Sequence, residues 1–230
     1  MLLSVDVVGY SKGDDHRQGA VQSALIRSLE AAARAAVLDR NGWRVQQSGD
    51  GEFAVLPPTE PEPRVVDDFV RHLNRLLGQH NRTTARPDRL RLRVAIHAGV
   101  VSEADNGFAG ESAVVVGRLL DCAPLRSAIV AAPDANLALI VSDEVFKGTV
   151  ASGYTTCEPS AFREVAVTVK QYHGRAWIHV PGADVHGLDL ATTHDPAPGG
   201  AAAPRPTQAV TTEIHGDVHL RGGVIGISNN

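Results

Sequence analysis

The N-terminal half of the chain changes its hydrophobic period in an order that few folds accommodate. Residues 2–8, LLSVDVV, form a short aliphatic run ending at Gly9, which is typical of a strand covered on both faces. From about residue 14 to residue 40, apolar residues recur every four positions, as far as Val37, which predicts a helix ending near Asn41-Gly42. The run WRVQQSGDGEFAVL then predicts two short strands joined by a Gly-Asp-Gly turn.

A second helix and a fourth strand complete this unit. The buried stripe of the helix is marked by Val66, Phe69, Val70, Leu73 and Leu77. Alternating apolar residues from Leu90 to Ile96 predict a half-buried strand. The order βαββαβ predicts an α/β (α+β) fold with a ferredoxin-like core. A third helix from Ser112 to before Pro124, the strand ALIVSD, a short helix, and a C-terminal strand pair in FREVAVTVK and RAWIHVPG would extend it.

The composition changes after about Gly182. Residues 1–182 are expected to form the folded domain. Residues 183–212 include a stretch rich in alanine, proline and glycine, which predicts a flexible linker. Residues 213–230 regain an alternating pattern around GD and GG turns, which predicts a short β-like tail. Such a tail either pairs with another chain, docks on a protein partner or stays disordered.

Charge, cysteine content and hydropathy argue against several classes of protein. The 22 basic and 26 acidic side chains give a formal charge of −4, which argues against binding nucleic acid or anionic membranes through bulk positive charge. The two cysteines, Cys122 and Cys157, cannot form a disulfide framework and do not have CxxC spacing. Neither a membrane-spanning apolar run nor a signal-peptide pattern is present. We therefore expect a cytoplasmic protein without direct membrane insertion.

Two aspartates are candidate metal ligands. Asp6 lies within an aliphatic strand, where an unpaired carboxylate is costly to bury, and Asp50 lies in the hairpin turn. Because the first strand and the hairpin are neighbours in a βαββ unit, the two carboxylates can meet. Hard oxygen ligands suit Mg²⁺ or Mn²⁺, and backbone N–H groups of the turn after Gly9 favour phosphate oxygens. The alternatives are a hydrogen-bonded core aspartate and ordinary turn chemistry.

Four motifs, VDVVGYS, SGDGEFAVL, LRVAIHAGVV and GESAVVVGRLL, resemble those of the class III nucleotidyl cyclases, the adenylate and guanylate cyclases. Their order and spacing match over about residues 1–181. The resemblance implies conversion of a nucleoside triphosphate to a 3′,5′-cyclic nucleotide and pyrophosphate. It also implies a homodimer with two symmetric sites, in which one subunit supplies the aspartates and the other supplies the arginine and the base-reading residues.

The resemblance also implies roles for individual residues. Asp6, Asp50 and the Val7 carbonyl would bind two divalent cations, Mg²⁺ or Mn²⁺. The triphosphate would lie against the backbone of Val8, Gly9, Tyr10 and Ser11. Arg118 would stabilise charge that develops during cyclisation, and Lys170 would bind phosphate. From the sequence alone, the favoured interpretations are an exposed helix arginine for Arg118 and a solvated strand end for Lys170.

Three departures from the family concern base and ribose recognition. Val114 stands where the family usually has an asparagine that orients the ribose. Gln46 replaces a lysine of adenylate cyclases, and Gly107 falls near their adenine-reading aspartate. Since mismatched polar groups in a base site remain unpaired, these changes argue against ordinary adenylate cyclase specificity. Gln46 becomes a candidate substrate-binding residue for a pyrimidine or guanine edge.

Three functions are therefore considered. The first is a nucleotidyl cyclase, which the resemblance extends to pyrimidine cyclases of bacterial antiphage signalling. The second is a catalytically degenerate nucleotide-binding signalling module of the same fold, which Val114 favours and the retained Asp6 and Asp50 oppose. The third is a diguanylate cyclase, which SGDGEF suggests, although the downstream IHAG and GRLL segments fit the class III cyclases better.

Overall fold

The computed structural model describes residues 1–10, 15–104 and 107–191. Its strands are β1 (Leu2–Val7), β2 (Arg44–Ser48), β3 (Gly51–Val55), β4 (Leu92–His97), β5 (Ser102–Ala104), β6 (Gly107–Ala109), β7 (Leu137–Ser142), β8 (Arg163–Val169) and β9 (Tyr172–His179). Seven of them form one sheet in the order β2-β3-β1-β4-β7-β9-β8, while β5 and β6 form a separate hairpin.

Helices fill the connections between these strands. They are α1 (Asp15–Ala35), α2 (Val70–Arg82), α3 (Glu111–Leu120), α4 (Ala123–Ala131) and α5 (Asp143–Val145). A π-helical segment, Arg64–Phe69, leads into α2, and another, Phe146–Val150, continues α5. Short 3₁₀ turns lie at Arg40–Gly42, Arg86–Asp88 and Pro159–Ala161.

The strand order confirms the predicted ferredoxin-like core and the α/β (α+β) class. The central strand β1 pairs antiparallel with both β3 and β4, and β2 pairs with β3 at one edge. Strands β7, β9 and β8 extend the sheet beyond β4, with β4 and β7 parallel to each other. The predicted C-terminal strand pair is therefore confirmed as the other edge of the sheet.

Two hydrophobic cores form on opposite faces of the sheet. Leu3 and Val5 of β1 point into the first core, with buried residues of α1, α2 and α5. Leu2 and Ala95 belong to the second core, with buried residues of α3 and α4. The prediction that β4 is half-buried is wrong, because this strand is covered on both faces and only Arg93 is partly exposed along it.

The first helix ends one turn earlier than the four-residue period predicts. Val37 continues the apolar spacing, yet it is 74% exposed and has a φ of 56°. The N–H of the buried Leu38 donates to the Ala33 carbonyl at 2.9 Å, and that of Val37 donates to Arg34 at 3.1 Å. This pattern ends a helix through a residue in the left-handed conformation, a place that glycine usually takes.

Two elements were not predicted from the sequence. Helix α4 begins at Ala123 and carries Pro124 in its first turn, where a missing N–H costs no hydrogen bond. The prediction that α3 ends before Pro124 is confirmed, but Pro124 lies in the first turn of the next helix. The β5–β6 hairpin is only three residues a side and lacks a strong apolar alternation.

The packed part of the chain extends to residue 190. Val185 and Leu190, in the segment that the sequence assigns to the linker, are buried in the second core. Arg163 holds this segment by donating to the carbonyls of Val185 and Leu188, at 3.4 and 2.7 Å. Residues 192–230, with the expected β-like tail, lie outside the described residues. Within the described ranges, no helix is long and apolar enough to cross a membrane.

Arg91 is expected to stabilise the fold by binding the end of α4. Its guanidinium donates to the carbonyls of Ile129, Ala132 and Ala135, at 2.5, 2.7 and 2.9 Å. Arg91→Met leaves these acceptors without a partner, so we expect the free energy of unfolding to fall by about 2 kcal/mol. Urea unfolding measures this change. The control is Arg126→Met, which changes an exposed arginine of α4. An equal effect of both variants on the free energy of unfolding would contradict the assignment.

Candidate active site

The register of three strands brings the two predicted metal ligands to one part of the sheet. Asp6 of β1 lies opposite Gly51 of β3 on one side and Arg93 of β4 on the other. The N–H of Val7 donates to the Asp50 carbonyl at 2.8 Å. The hairpin turn that carries Asp50 is therefore hydrogen-bonded to the strand end that carries Asp6.

Gly51 permits this close approach of the hairpin to β1. A Cβ atom at this position would lie 2.1 Å from the Val5 carbonyl oxygen, a distance that no side chain tolerates. Glycine is therefore required in the Gly-Asp-Gly sequence for steric reasons. The same constraint fixes the position of Asp50, the residue before it.

Asp6 forms a bidentate ion pair with Arg93. The Arg93 Nε atom donates to Asp6 Oδ1 at 2.8 Å, and one terminal nitrogen donates to Oδ2. The side chains are 13% and 17% exposed. Burial raises the pKa of Asp6 above its ordinary value, against the hydrogen bonds and charge of Arg93, which lower it. The negative charge of Asp50 also raises the pKa of Asp6.

Asp50 is exposed, and its only described side-chain hydrogen bond is a long one from Ser48 Oγ, at 3.5 Å. Asp6 already binds Arg93 through both oxygens, but a carboxylate offers about four acceptor positions. The two carboxylates and the Val7 carbonyl offer oxygen atoms, the ligand type that Mg²⁺ and Mn²⁺ prefer. Among the described residues there is no ready group of three His, Cys, Asp or Glu side chains for a metal ion. Further ligands would have to come from substrate phosphates or water.

The predicted phosphate-binding turn follows β1 directly. The N–H of Val8 donates to the Arg91 carbonyl at 2.9 Å, so this group is used within the sheet. Gly9 then turns the chain with a φ of 75°. The Gln22 side chain of α1 donates to the Tyr10 hydroxyl at 2.6 Å and to the Gly49 carbonyl at 2.9 Å. Gln22 thus joins this turn to the hairpin of Asp50, whereas Ser11 lies outside the described residues.

Gln46 and Gly107, the two positions expected to face the base, lie side by side. Gly107 has a φ of 117°, and a Cβ there would lie 2.4 Å from Gln46 Oε1. The rings of Phe53 and Phe108 pack beside them, with centroids 5.4 Å apart. An aspartate could not replace Gly107 without moving Gln46, and the φ of 117° disfavours any side chain at this position.

Arg118 and Val114 lie one turn apart on the outward face of α3. Val114 is 53% exposed and Arg118 is partly exposed, whereas Val115, Val116 and Leu119 are buried against the sheet. Within one chain, both side chains therefore point away from the sheet. This orientation is compatible with the implied role across a dimer interface.

Lys170 lies in the two-residue turn between β8 and β9, where it is exposed. Its φ is 54°, a left-handed conformation that asparagine or glycine adopts at lower cost in such turns. The lysine thus occupies a position where the backbone conformation does not favour it.

The sequence argument did not identify Arg93 as a site residue. Arg93 was counted among the polar residues of a half-buried strand, whereas it is the partner of Asp6. The available signal was the register, because a carboxylate in the centre of an aliphatic strand requires a cation on a neighbouring strand.

Comparison with solved structures places this fold among nucleotide cyclases. An adenylate/guanylate cyclase/hydrolase from Silicibacter pomeroyi matches over 79% of this chain and 96% of its own, with a TM-score of 0.57 and 22% identity. The catalytic core of a rhodopsin-guanylyl cyclase with converted specificity, in complex with ATPαS, matches over 78% and 93%, with a TM-score of 0.50 and 14% identity. The chain has the fold of a class III nucleotidyl cyclase catalytic domain. No family model and no curated protein matches the sequence.

This cyclase-like domain is expected to depend on the Asp6–Arg93 pair for stability. Arg93→Met leaves a buried carboxylate without a cation, and we expect it to lower the free energy of unfolding by about 3 kcal/mol. The double variant Asp6→Leu/Arg93→Met should recover much of this loss, because neither charge remains buried. Urea unfolding of the two single variants and the double variant measures the coupling.

The exposed pair Arg86–Asp134, with an N–O distance of 2.7 Å, is the matched control. Its Arg86→Met variant should cost less than about 1 kcal/mol, since both of its side chains are in solvent. If Arg93→Met lowers the free energy of unfolding no more than Arg86→Met does, the Asp6–Arg93 pair does not stabilise β1.

Proposed function

We propose that this protein is a nucleotidyl cyclase, which converts a nucleoside triphosphate to a 3′,5′-cyclic nucleotide and pyrophosphate at a homodimer interface. One observation carries this proposal. The chain register places Asp6 of β1 beside the Gly-Asp-Gly hairpin of Asp50, next to a glycine turn suited to phosphate. A buried carboxylate retained on a central strand is a cost to stability, which catalysis would explain.

The reaction requires the ribose 3′-hydroxyl to attack the α-phosphorus in line and to expel pyrophosphate. Two divalent cations, when bound by Asp6, Asp50 and the Val7 carbonyl, would screen the phosphates and favour the attacking oxygen. The backbone N–H groups after Val8, at Gly9, Tyr10 and Ser11, would orient the triphosphate, because the Val8 N–H is already bonded to the Arg91 carbonyl. Lys170 would bind the phosphates. Arg118 would offset negative charge that develops at the α-phosphate.

Arg93 has a second role in this proposal. Before substrate arrives, the Arg93 guanidinium neutralises the charge of Asp6. A dication that approached Asp6 alone would be repelled by this guanidinium. A triphosphate brings enough negative charge to accommodate both. Substrate and metal are therefore expected to bind together, with Arg93 keeping Asp6 in place.

The positions of two side chains on α3 support the homodimer in this proposal. Arg118 and Val114 point outward from α3, so Arg118 is suited to reach a substrate held by another subunit. In this arrangement one subunit supplies Asp6 and Asp50, and its partner supplies Arg118 and Gln46. Two-fold symmetry then gives two equivalent sites.

The base that this enzyme selects is set by Gln46 in our proposal. An amide both donates and accepts a hydrogen bond, which fits the edge of a pyrimidine or of guanine. With Gly107 beside it, no second side chain is available at that position to read adenine. A pyrimidine cyclase in antiphage signalling is the specific form that the resemblance implies.

A degenerate nucleotide-binding module is the second candidate, and Val114 favours it. An aliphatic side chain cannot donate a hydrogen bond to the ribose, so the attacking hydroxyl would be positioned less well. This module would bind a nucleoside triphosphate without turnover and signal through a protein partner, with the C-terminal tail as the contact.

Incubation of the full chain with each of the four nucleoside triphosphates and Mn²⁺ tests both candidates. We expect pyrophosphate and a cyclic product, with UTP, CTP or GTP preferred over ATP. Asp50→Asn should reduce turnover by about a hundredfold or more, because it removes a metal ligand without disturbing a buried residue. Asp189→Asn, another exposed aspartate, is the control. Nucleotide binding without any product would support the degenerate module instead.

Mixing two inactive variants tests the shared site. Asp50→Asn and Arg118→Ala damage opposite halves of each site, so a mixed dimer keeps one intact site of its two. Random exchange between equal amounts should restore about a quarter of wild-type activity. Measurement of cyclic product after subunit exchange gives this fraction. If the mixture shows no cyclase activity although native mass spectrometry confirms subunit exchange, a site built from both subunits is excluded.

A further inference from the structure

A second group of reactive side chains lies in a cavity that shares no residue with the candidate active site. The cavity has a volume of about 310 Å³ and is lined by residues of α2 and its π-helical lead, the segment before β8, and the end of β9. Cys157 and His179 lie in it together, with their Sγ and Nε2 atoms 3.8 Å apart. Neither the fold nor the proposed cyclisation requires this pair.

The hydrogen bonds of His179 settle which of its nitrogens is available. Its Nδ1 atom lies 2.9 Å from the Ala161 carbonyl, which can only accept a hydrogen bond. In the neutral ring Nδ1 therefore carries the hydrogen, and the lone pair of Nε2 faces Cys157. Phe162 packs against the ring, with centroids 5.0 Å apart, and restricts its rotation.

We propose that Cys157 and His179 bind a divalent transition-metal ion of the zinc class. Thiolate sulfur and imidazole nitrogen are the preferred ligands of such ions, at about 2.3 and 2.0 Å. A tetrahedral angle between bonds of these lengths separates the two ligand atoms by about 3.5 Å. The observed 3.8 Å needs only a small closure, which the half-buried Cys157 can make.

Two charged side chains, those of Asp67 and Arg71, also line the cavity, with Arg71 Nε 3.8 Å from Asp67 Oδ1. Asp67 lines the same cavity and accepts a hydrogen bond from the Thr156 N–H at 2.6 Å, directly beside Cys157. A bound dication would compensate the negative charge of Asp67.

The chain supplies only part of the coordination shell of the proposed metal ion. The described ranges hold no ready group of three His, Cys, Asp or Glu side chains that could bind a metal ion. Two protein ligands leave the remaining positions to water, so binding should be weaker and more rapidly reversible than at four-ligand structural zinc sites. The site is independent of nucleotide cyclisation.

Cys122 provides a matched control within the chain. It is the other of the two cysteines, it is fully buried in the second core, and burial raises its pKa to about 11. Any thiolate–metal bond must therefore come from Cys157 or Cys122. The hard oxygen ligands of the candidate active site cannot produce that signal.

Titration of the reduced full chain with Co²⁺ tests the proposal, because a cobalt–thiolate bond gives a charge-transfer absorption band in the near ultraviolet. We expect this band in the wild-type protein and in Cys122→Ser, displaced by Zn²⁺. It should be lost in Cys157→Ser and in His179→Gln. Absence of the band in the wild type, or its survival in either of these two variants, would overturn the assignment.

Alkylation of the wild-type protein gives a readout that does not depend on the folding of variants. Zn²⁺ should slow the reaction of Cys157 with iodoacetamide by about tenfold or more, since a metal-bound sulfur is a poor nucleophile. Mass spectrometry of the modified peptides measures each cysteine separately. Equal rates with and without Zn²⁺ at Cys157 would refute the site.

Discussion

The ion pair between Asp6 and Arg93 is the interaction on which the rest of the candidate active site depends. A carboxylate at the centre of a seven-stranded sheet is costly, and the neighbouring strand offsets this cost with two parallel hydrogen bonds. The pair fixes the rotamer of Asp6 and joins β1 to β4 at the residue where catalysis is proposed. Every other candidate ligand is positioned relative to this strand end.

The remaining groups reach the site through close backbone contacts rather than through long side chains. Gly51 lets the hairpin lie against β1, and Gln22 ties the hairpin turn to the turn after β1. On the same hairpin, Gln46 faces Gly107 of the β5–β6 hairpin. A small set of glycines and amides therefore fixes how the two hairpins and the turn after β1 lie against one another.

Much of this architecture could be predicted from the sequence because its apolar periods are strong. The changes of period gave the βαββαβ order, and the buried positions Leu25, Leu29 and Leu73 follow the predicted stripes. The errors arose where tertiary contacts overrule local pattern. Val37 keeps the helical spacing after α1 has ended. Strand β4 is covered on its second face by α3, which follows it after the β5–β6 hairpin.

The candidate site was less predictable for a related reason. Asp6 and Asp50 were recognisable as unusual residues, but the partner of Asp6 depends on strand register, which a single sequence does not specify at one-residue accuracy. The Cys157–His179 pair likewise joins positions 22 residues apart through the packing of a loop on β9. Neither contact has a local signal.

The two proposed metal ligands belong to parts of the sheet with different resistance to opening. Asp6 lies on the central strand, whereas Asp50 lies at the tip of an edge hairpin whose outer strand β2 is exposed along its whole length. Native-state fluctuations that detach such an edge cost far less than global unfolding. Local fraying at this edge would carry Asp50 away while Asp6 stays in place on β1, so the proposed site could lose one ligand in an otherwise intact molecule.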